Sequence, residues 1–332
     1  MHTILVTGAA GYVGALLVKR FAARSDVERV IAIDRAPIPD AFRAESKLVY
    51  LQTNTADDWE DKVRAYHPDV VIHAAWQIRE LYGAEDMQRR WNLDGSDKVF
   101  AYALSEPSVK RLIHFSTVAS YGALAANDPD HFFIEDELLR PSDYRYAEEK
   151  RIAEERLREA YVNRLNKHVT VAVLRPASIT GPGALGKSGI SLQSVLRGKL
   201  PFAPVTKSWL RQFVHEEDVV NITEQLAFAE ALGAYEIFNL CPPGPVVRGA
   251  DIAKAVGKRA LVLPSSLVRF VFFLAWHFTQ GAVPTSRGLW KSYSYPIAVD
   301  GSKVTRLLGY DYRHSSQDAL AARMGSAILP AS

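Results

Sequence analysis

The chain has 332 residues, of which 48% are hydrophobic and 23% charged, a composition typical of a globular protein with a large core. Its 40 basic and 37 acidic residues give a net charge of +3, and no run of Lys and Arg forms the basic patch expected of a nucleic-acid-binding protein. The single cysteine, Cys241, excludes an intramolecular disulfide and agrees with a reducing, cytoplasmic setting. The chain starts directly with a candidate strand, so we expect no secretory signal.

Short apolar runs alternate with longer amphipathic stretches in the first half of the chain. This alternation predicts an α/β fold with a doubly wound parallel sheet, a Rossmann fold, because strand–helix–strand crossovers are right-handed. The candidate strands are Thr3–Thr7, Arg29–Asp34, Lys47–Leu51, Val70–His73, Arg111–Phe115 and Val169–Leu174, and the candidate helices are Gly11–Ala23, Asp58–Tyr66, Asp86–Ala103 and Tyr146–Asn163.

The first predicted strand leads into a glycine-rich turn with Gly8, Gly11 and Gly14 at the start of the first helix. Such a turn allows close approach of a pyrophosphate, which then meets the free N–H groups of the helix N-terminus. Asp34 ends the second strand, 20 residues after Gly14, where an acid would bind the ribose hydroxyls of NAD. A carboxylate there repels the 2′-phosphate of NADP, so NAD is favoured, although Arg35 beside it softens the preference. The alternative is an ordinary strand–helix turn with a capping Asp.

Tyr146 and Lys150 lie four residues apart in a strongly helical stretch and therefore share one face. A tyrosine has a pKa near 10, and a neighbouring ammonium lowers it towards the range in which a phenol exchanges a proton with an alcohol. The fifth predicted strand ends in Ser116 and Thr117, which places a hydroxyl at the carboxyl edge of the sheet. Tyr144 would point elsewhere on the helix. The alternative is a chance Tyr–Lys spacing with no function.

Together these motifs resemble the extended short-chain dehydrogenase/reductase superfamily, in its NAD-dependent epimerase/dehydratase branch, over nearly the whole chain. The resemblance implies that Thr117, Tyr146 and Lys150 are catalytic, that the substrate is a small molecule and that the protein is a homodimer. The cofactor-binding residues it implies are Gly8, Gly11, Tyr12, Val13, Asp34, Arg35, Asn54, Thr55, His73, Ala74, Ala75, Asn92, Tyr146, Lys150 and Pro176, and the substrate-binding residues are Trp76, Ser116, Thr117, Tyr121, Ser178 and Arg211.

Three residues, at two places in the chain, depart from the family pattern. Asn54 stands where many relatives have an Asp at the adenine, and it can still form a hydrogen bond there. Val118 and Ala119 follow Thr117, where sugar 4,6-dehydratases have an Asp–Glu pair for elimination, which argues against a dehydratase.

The regular alternation fades after about residue 176, where Pro and Gly become frequent. We therefore predict an NAD-binding domain with the catalytic helix over residues 1–176 and a mainly substrate-binding domain over residues 177–332, with some segments returning to the sheet. The most apolar segment, residues 267–278, is too short to span a bilayer and is interrupted by Arg269 and His277. A buried or interface helix is favoured over one in contact with a membrane.

Three functions agree with these residues. The segment Arg211–Asp218 resembles nucleotide-sugar relatives, whereas the apolar segment 267–278 and the residues after it resemble the tail of the 3β-hydroxysteroid dehydrogenase-like branch. We place an NAD-dependent oxidoreductase acting on a secondary alcohol or ketone slightly ahead of an NAD-dependent nucleotide-sugar 4-epimerase. A non-catalytic regulator that senses NAD(P) is third, because such regulators usually lack the Tyr–Lys pair.

The remaining polar residues suggest no further chemistry. There are nine histidines but no HxxxH or HxH pattern, so we expect no catalytic metal. His215 is interpreted as part of a hinge between domains, and Arg211 either meets a substrate phosphate or forms a salt bridge. The acidic pairs at 148–149 and 154–155 are expected on the solvated face of the catalytic helix.

Overall fold

The computed structural model describes residues 1–184, 201–255 and 257–324 of the chain. Its strands are β1 (His2–Thr7), β2 (Val27–Asp34), β3 (Leu48–Gln52), β4 (Val70–His73), β5 (Arg111–Phe115), β6 (Phe132–Phe133), β7 (Thr170–Pro176), β8 (Ser178–Thr180), β9 (Phe202–Val205), β10 (Leu210–Arg211), β11 (Phe213–His215), β12 (Tyr235–Leu240), β13 (Val247–Arg248), β14 (Arg259–Val262) and β15 (Ala298–Val299).

The described helices are α1 (Tyr12–Ala22), α2 (Glu60–Arg64), α3 (Glu85–Arg89), α4 (Gly95–Ser105), α5 (Arg145–Val162), α6 (Glu216–Phe228), α7 (Gly249–Ala255), α8 (Ser265–Phe278), α9 (Leu289–Ser292), α10 (Ser302–Leu308) and α11 (Ser316–Met324). Short 3₁₀ turns cover Asp40–Phe42, Val118–Tyr121 and Pro182–Ala184.

Seven strands form one parallel sheet in the order β12-β7-β5-β4-β1-β2-β3. From β1 the chain adds β2 and β3 on one side of the sheet and then β4, β5, β7 and β12 on the other. The carboxyl edge between β1 and β4 is therefore the switch point, where open α/β sheets bind their ligands. All six predicted strands are present, with ends shifted by no more than two residues. The predicted doubly wound Rossmann fold is confirmed.

The two faces of the sheet build two separate cores. Successive residues of a strand point to opposite faces, so Ile4 and Val6 pack with α1 and α6, whereas Leu5 packs on the side of α4 and α5. Because apolar residues cover both faces, the strands read as continuous Val/Ile/Leu runs rather than as alternating patterns.

The predicted helix over residues 86–103 is interrupted. A π-helical turn, Arg90–Asp94, lies between α3 and α4 and includes the buried Asn92. π-turns of this kind are frequent at functional sites, and their sequence signal is weak because the apolar periodicity continues through them. The predicted helix Asp58–Tyr66 is also shorter than expected and covers only Glu60–Arg64.

Residues after 176 contribute to both parts of the molecule. Strand β12 forms one edge of the central sheet beside β7, and α6 packs against α1. Other segments form small two-stranded pairs, and a third apolar cluster surrounds Trp209 and Phe213. The division into two domains at residue 176 stays a prediction.

Helix α8 contains the apolar segment that the sequence singled out. Val268 and Trp276 lie on its buried side. Across residues 1–184, 201–255 and 257–324, no helix is both long enough and apolar enough to cross a membrane.

Candidate active site

The glycine turn forms a tight backbone cradle at the carboxyl edge of β1. Gly8 has a positive φ of 72°, and a Cβ atom on it would lie 2.6 Å from the Cα of Ala75. A Cβ on Gly14 would overlap the carbonyl oxygen of Gly8, so α1 can begin this close to the turn only with glycine there. Gly11 is the exposed N-cap of α1 and has no side-chain cap, which leaves the N-terminal turn of the helix open to an anion.

Asp34 holds this cradle in place from the end of β2. Its Oδ2 accepts a hydrogen bond from the N–H of Ala10 at 2.9 Å, and its Oδ1 accepts one from Ala36 at 2.9 Å. Arg35 points across the cleft, where it donates to Gln77 Oε1 at 2.6 Å and lies over the Trp91 ring. The carboxylate therefore organises the turn and also borders the cleft that the turn opens.

A cleft of about 290 Å³ runs along the switch point of the sheet. It contains ten of the residues predicted to bind cofactor or substrate, and also Trp91 and Gln77, which the sequence did not indicate. The lining residues are Gly8, Ala10, Gly11, Ile33, Asp34, Arg35, Ala36, Thr53, Asn54, Thr55, Ala74, Ala75, Trp76, Gln77, Trp91 and Asn92.

Thr117 and Tyr146 meet where β5 ends and α5 begins. Burial raises the pKa of the Tyr146 phenol above its usual value, and a hydrogen bond with the Thr117 hydroxyl opposes that rise. The Thr117 Oγ1 also accepts the N–H of Ala119 at 3.2 Å, which fixes its rotamer at the start of a 3₁₀ turn. Tyr144 precedes the helix, and its ring lies 5.7 Å from that of Tyr146, closer than the sequence suggested.

Lys150 lies one turn along α5 and is buried. Its Nζ donates to the carbonyl of Phe115 and lies 3.6 Å from the centroid of the Trp76 ring. Burial lowers the pKa of Lys150 well below its usual value, only partly opposed by Glu154. In this arrangement the Thr117 hydroxyl is the influence that favours the Tyr146 phenolate.

Asn92 connects the cleft with the catalytic helix. Its Oδ1 accepts the N–H of Gln77 at 2.7 Å, and its Nδ2 donates to the Gln77 carbonyl at 3.1 Å and to Glu149 Oε2 at 2.7 Å. Glu149 is buried, which raises the pKa of its carboxyl group. The expectation that Glu149 lies on a solvated face was wrong, because its polar partner comes from the π-turn, which the sequence did not indicate.

Ser116 and Tyr121, both expected at the substrate, belong instead to a buried polar network. Ser116 Oγ donates to Glu154, which forms an ion pair with Arg175 at 2.7 Å. Arg175 also donates to the Tyr121 hydroxyl at 2.8 Å, and that hydroxyl donates to Asn239 Oδ1 at 3.0 Å. Glu154 is buried and not solvated as expected, and neither Ser116 nor Tyr121 is among the residues that line the cleft.

His73 lies beneath the cleft with its ring inside the protein. Its Nδ1 is 2.7 Å from Thr7 Oγ1 and its Nε2 is 2.8 Å from Ser96 Oγ, and burial lowers its pKa to about 3. His114 stacks on it at a centroid distance of 5.3 Å, and its two ring nitrogens have no hydrogen-bond partner among the described residues. The imidazole of His73 therefore supports the strand end while Ala74 and Ala75 line the cleft.

Other predicted residues lie around the rim of the cleft or below it. Tyr12 donates its hydroxyl to Glu216, which also accepts the N–H of Gly183 at 3.0 Å. Val13 packs against the core, and Pro176 is buried at the end of β7.

Within the cleft, Asn54 Oδ1 accepts the N–H of Ala56 at 2.9 Å, and Thr55 is buried at the same edge. Ser178 forms the start of β8, where its N–H donates to Gln212.

Arg211 lies in β10 and points towards the start of the catalytic helix. Its Nη2 donates to the carbonyl of Ser292 at 2.6 Å, and burial lowers its pKa from the usual value. Tyr144 and Tyr293 are close enough to act on its charge. No acid is paired with Arg211 among the described residues, so of the two roles considered, a phosphate contact agrees better with the structure than a salt bridge.

His215 and His314 meet although they lie far apart in the sequence. Their ring centroids are 3.8 Å apart, and with Glu217 they form a group of side chains that could reach one metal ion. His215 Nδ1, however, accepts the N–H of Glu217 as a helix cap, and Glu217 pairs with Arg313 at 2.6 Å. A neutral imidazole that accepts at Nδ1 has its proton on Nε2 and offers no second lone pair to a metal.

The profile of the NAD dependent epimerase/dehydratase family matches residues 4–241, which include the glycine turn, the cleft and the Tyr–Lys helix. The chain belongs to this family. NAD is the cofactor that the family name specifies, and the glycine cradle with the Asp34 carboxylate fits it.

Several curated proteins are similar to this family member. An uncharacterized protein of Mycobacterium tuberculosis (strain ATCC 25618 / H37Rv) is 26% identical over 324 residues, which is 95% of this chain and 81% of that protein. The 3 beta-hydroxysteroid dehydrogenase/Delta 5-->4-isomerase of Vaccinia virus (strain Western Reserve) is 27% identical over 55% of this chain and 54% of its own. The UDP-glucose 4-epimerase of Mycolicibacterium smegmatis is 27% identical over 65% of this chain and 70% of its own.

Solved structures of the family share the fold. The UDP-glucuronic acid 4-epimerase of Bacillus cereus, solved with UDP-glucuronic acid and NAD, superimposes with a TM-score of 0.72 at 20% sequence identity. The match covers 97% of this chain and 98% of that one, so the similarity extends beyond the central sheet into the second half of the chain.

Proposed function

We propose that this family member catalyses hydride transfer between NAD and a carbon with a secondary alcohol or ketone, with Tyr146 as the acid–base group. The observation on which this rests is the position of Lys150 on the Tyr146 helix, with its Nζ 3.6 Å from the centroid of the Trp76 ring that lines the cleft. Trp76 lines the cleft and contacts Lys150, and Asn92 lines it and bonds Glu149, so the catalytic helix adjoins the NAD site at two points.

In the proposed mechanism Tyr146 exchanges a proton with the substrate oxygen while Thr117 orients that oxygen by a hydrogen bond. Bound NAD supplies the position that accepts or donates the hydride. Lys150 assists once its amine leaves the Phe115 carbonyl and turns towards the nicotinamide ribose, where its charge favours the phenolate. Asp34 binds the adenosine ribose and fixes the register of the dinucleotide along the cleft.

A nucleotide-sugar 4-epimerase is the second candidate, and Arg211 is the observation that favours it. A partly buried guanidinium without an acid partner among the described residues is suited to a diphosphate, which guanidinium groups bind with two parallel hydrogen bonds. In that reaction the ketone intermediate rotates and receives the hydride on its other face. Such a reaction would leave no net change in the oxidation state of the cofactor.

The two reactions differ in the fate of the cofactor. We would incubate the purified protein and NAD separately with a 3β-hydroxysteroid and with UDP-glucose, and follow both NADH absorbance and the sugar product. NADH that accumulates with the steroid supports a dehydrogenase, whereas a 4-epimerised sugar without net NADH supports the epimerase. A protein that binds no NAD, or an equal rate in a Thr117→Val/Tyr146→Phe double variant, would contradict both.

We also propose that the protein acts in the cytoplasm as a homodimer. The single buried Cys241 agrees with a reducing compartment. Dimerisation through two helices of each subunit is what family resemblance implies, and sedimentation of the purified protein would test it.

A further inference from the structure

Helix α8 packs against the protein on one side and presents several large apolar side chains on its exposed side, next to the exposed Arg269 and His277. Val268 and Trp276 form the packed side. The outward residues define what we call the apolar face, which consists of Leu267, Phe270, Val271, Phe273 and Phe278. Phe270 and Phe273 are each more than half exposed, and Phe278 is 83% exposed. Exposed patches of large apolar side chains commonly mark interaction sites, so this face is suited to a binding partner.

The chain around this helix is uniformly basic. Between Asp251 and Asp300 there are six Lys and Arg residues and no Asp or Glu. This segment alone has a charge of +6 while the whole chain has +3, so the remainder of the chain is net acidic. Arg259, Arg269 and Arg287 are exposed, and Leu261 and Val262 in β14 continue the apolar surface towards the helix.

Basic residues of this segment also surround the carboxylate of Asp143. Asp143 forms an ion pair with Lys291 at 2.5 Å, and this contact, with Arg287 and Arg269 nearby, lowers the pKa of its carboxyl group. Three basic side chains thus surround one carboxylate beside the apolar face. The combined surface presents exposed aromatic groups and excess positive charge, the combination that favours the interface of an anionic bilayer.

We propose that the apolar face of α8 docks the protein onto an anionic lipid surface, with the aromatic side chains inserted at the level of the headgroups. A second copy of this chain fits less well, because a symmetric contact through this face would bring together two basic segments that themselves contain no Asp or Glu. The helix has 14 residues and lies along the protein, so the contact is peripheral and not spanning.

The docking surface also borders the candidate active site. Tyr82, in the loop that follows the cleft, packs on Trp276 and His277 at the end of the helix. At the other side, Gly288 packs so closely on Asp143 and Tyr144 that a Cβ atom would overlap their backbone. A protein docked through α8 would therefore place both sides of the site entrance near the lipid. This inference does not depend on which substrate the protein uses.

The test is co-sedimentation of the full-length protein with vesicles of phosphatidylcholine alone and of phosphatidylcholine mixed with phosphatidylglycerol. We expect binding to the mixed vesicles at low salt, and less binding to the neutral vesicles and at high salt, where charges are screened. A Phe270→Ser/Phe273→Ser variant should bind roughly tenfold or more weakly for each phenylalanine lost. An Arg269→Gln/Arg287→Gln variant should lose the preference for the mixed vesicles.

The matched control is Val162→Ser/Leu165→Ser, which removes two other exposed apolar side chains and should bind like the wild type. All variants change exposed residues, so their circular dichroism and thermal unfolding should be unchanged. The proposal is overturned if neither vesicle is bound, or if the Phe270→Ser/Phe273→Ser variant binds as well as the wild type. It is also overturned if these phenylalanines are instead required for dimerisation and the dimer does not bind vesicles.

Discussion

The Nζ atom of Lys150 lies 3.6 Å from the centroid of the Trp76 ring. This contact places an aromatic side chain between Lys150 and the cleft, and the indole Nε1 is buried without a hydrogen-bond partner among the described residues. A buried donor without a partner is costly, so a ligand that offers an acceptor or displaces the ring would be favoured. Trp76 is thus the side chain expected to respond first when NAD enters.

NAD binding should therefore change the fluorescence of Trp76. In a Trp76→Phe variant most of the NAD-dependent change in emission should disappear, with the remainder due to Trp91 in the same cleft. Trp209 packs in a different apolar cluster, so a Trp209→Phe variant should keep the full change. A Trp76→Phe protein with an undiminished response would show that the ring does not report on the cofactor.

Removal of the Thr117 hydroxyl should shift the pH dependence of the reaction. The hydrogen bond with Thr117 opposes the rise that burial causes in the pKa of Tyr146, so a Thr117→Val variant should have a higher Tyr146 pKa. Because alcohol oxidation requires the phenolate, its rate profile should move to higher pH, while Thr117→Ser should stay near the wild type. Initial rates of NADH formation across pH would measure this, and a profile unmoved in the valine variant would contradict it.

Loss of the Asp34 carboxylate should weaken NAD binding and reduce the preference of the protein for NAD over NADP. An Asp34→Ala variant loses two hydrogen bonds of 2.9 Å from the backbone and the expected bonds to the ribose. Because a hydrogen bond to a charged group contributes about 1.5–3 kcal/mol, we expect NAD affinity to fall by about 10- to 100-fold. The affinity for NADP should fall less. Calorimetric titration with both dinucleotides measures this, with the exposed Asp40→Ala as the control. An unchanged ratio of the two affinities would refute the assignment.

The folded protein should lose stability in mild acid because of His73 and His114. Burial lowers the pKa of His73 from 6.5 to about 3 and that of His114 well below 6.5, so between these values the unfolded chain binds protons that the folded protein does not. The free energy of unfolding should fall by about 1.4 kcal/mol per pH unit for each histidine as the pH drops below 6.5.

A His114→Phe variant should reduce that slope, since one of the titrating histidines is gone and its ring made no hydrogen bond to another described residue. Urea unfolding at about pH 7 and about pH 5 measures the difference. The exposed His168→Phe is the control and should leave the slope as it is. Equal slopes in wild type and His114→Phe would show that another group dominates the acid response.

Sequence reasoning predicted the sheet, the glycine turn and most of the cleft because these depend on local chemistry. Glycine is required at Gly8 by a positive φ, and apolar runs mark buried strands. It failed for Glu149 and Glu154, which looked like solvated positions on a charged helix. Their partners, Asn92 and Arg175, come from a π-turn and a strand whose side-chain directions no local pattern indicates.

Local sequence patterns also do not show where the side chains of Ser116, His215 and His314 point. Ser116 directly precedes Thr117, but neighbouring residues of an extended segment point in opposite directions, so only one of them can face the cleft. The contact between His215 and His314 likewise depends on how α11 packs on β11. The spacing of histidines in the sequence does not reveal this packing.

The proposed chemistry depends above all on the Tyr146 phenol, and Tyr146→Phe tests it most directly. With a substrate that the wild type oxidises, NADH formation and NAD affinity should be measured on the same preparations. We expect the rate to fall by about 10² to 10⁴-fold, since the acid–base group is lost, while NAD affinity stays within a few-fold of the wild type. A variant that still oxidises the substrate at the wild-type rate would contradict the account.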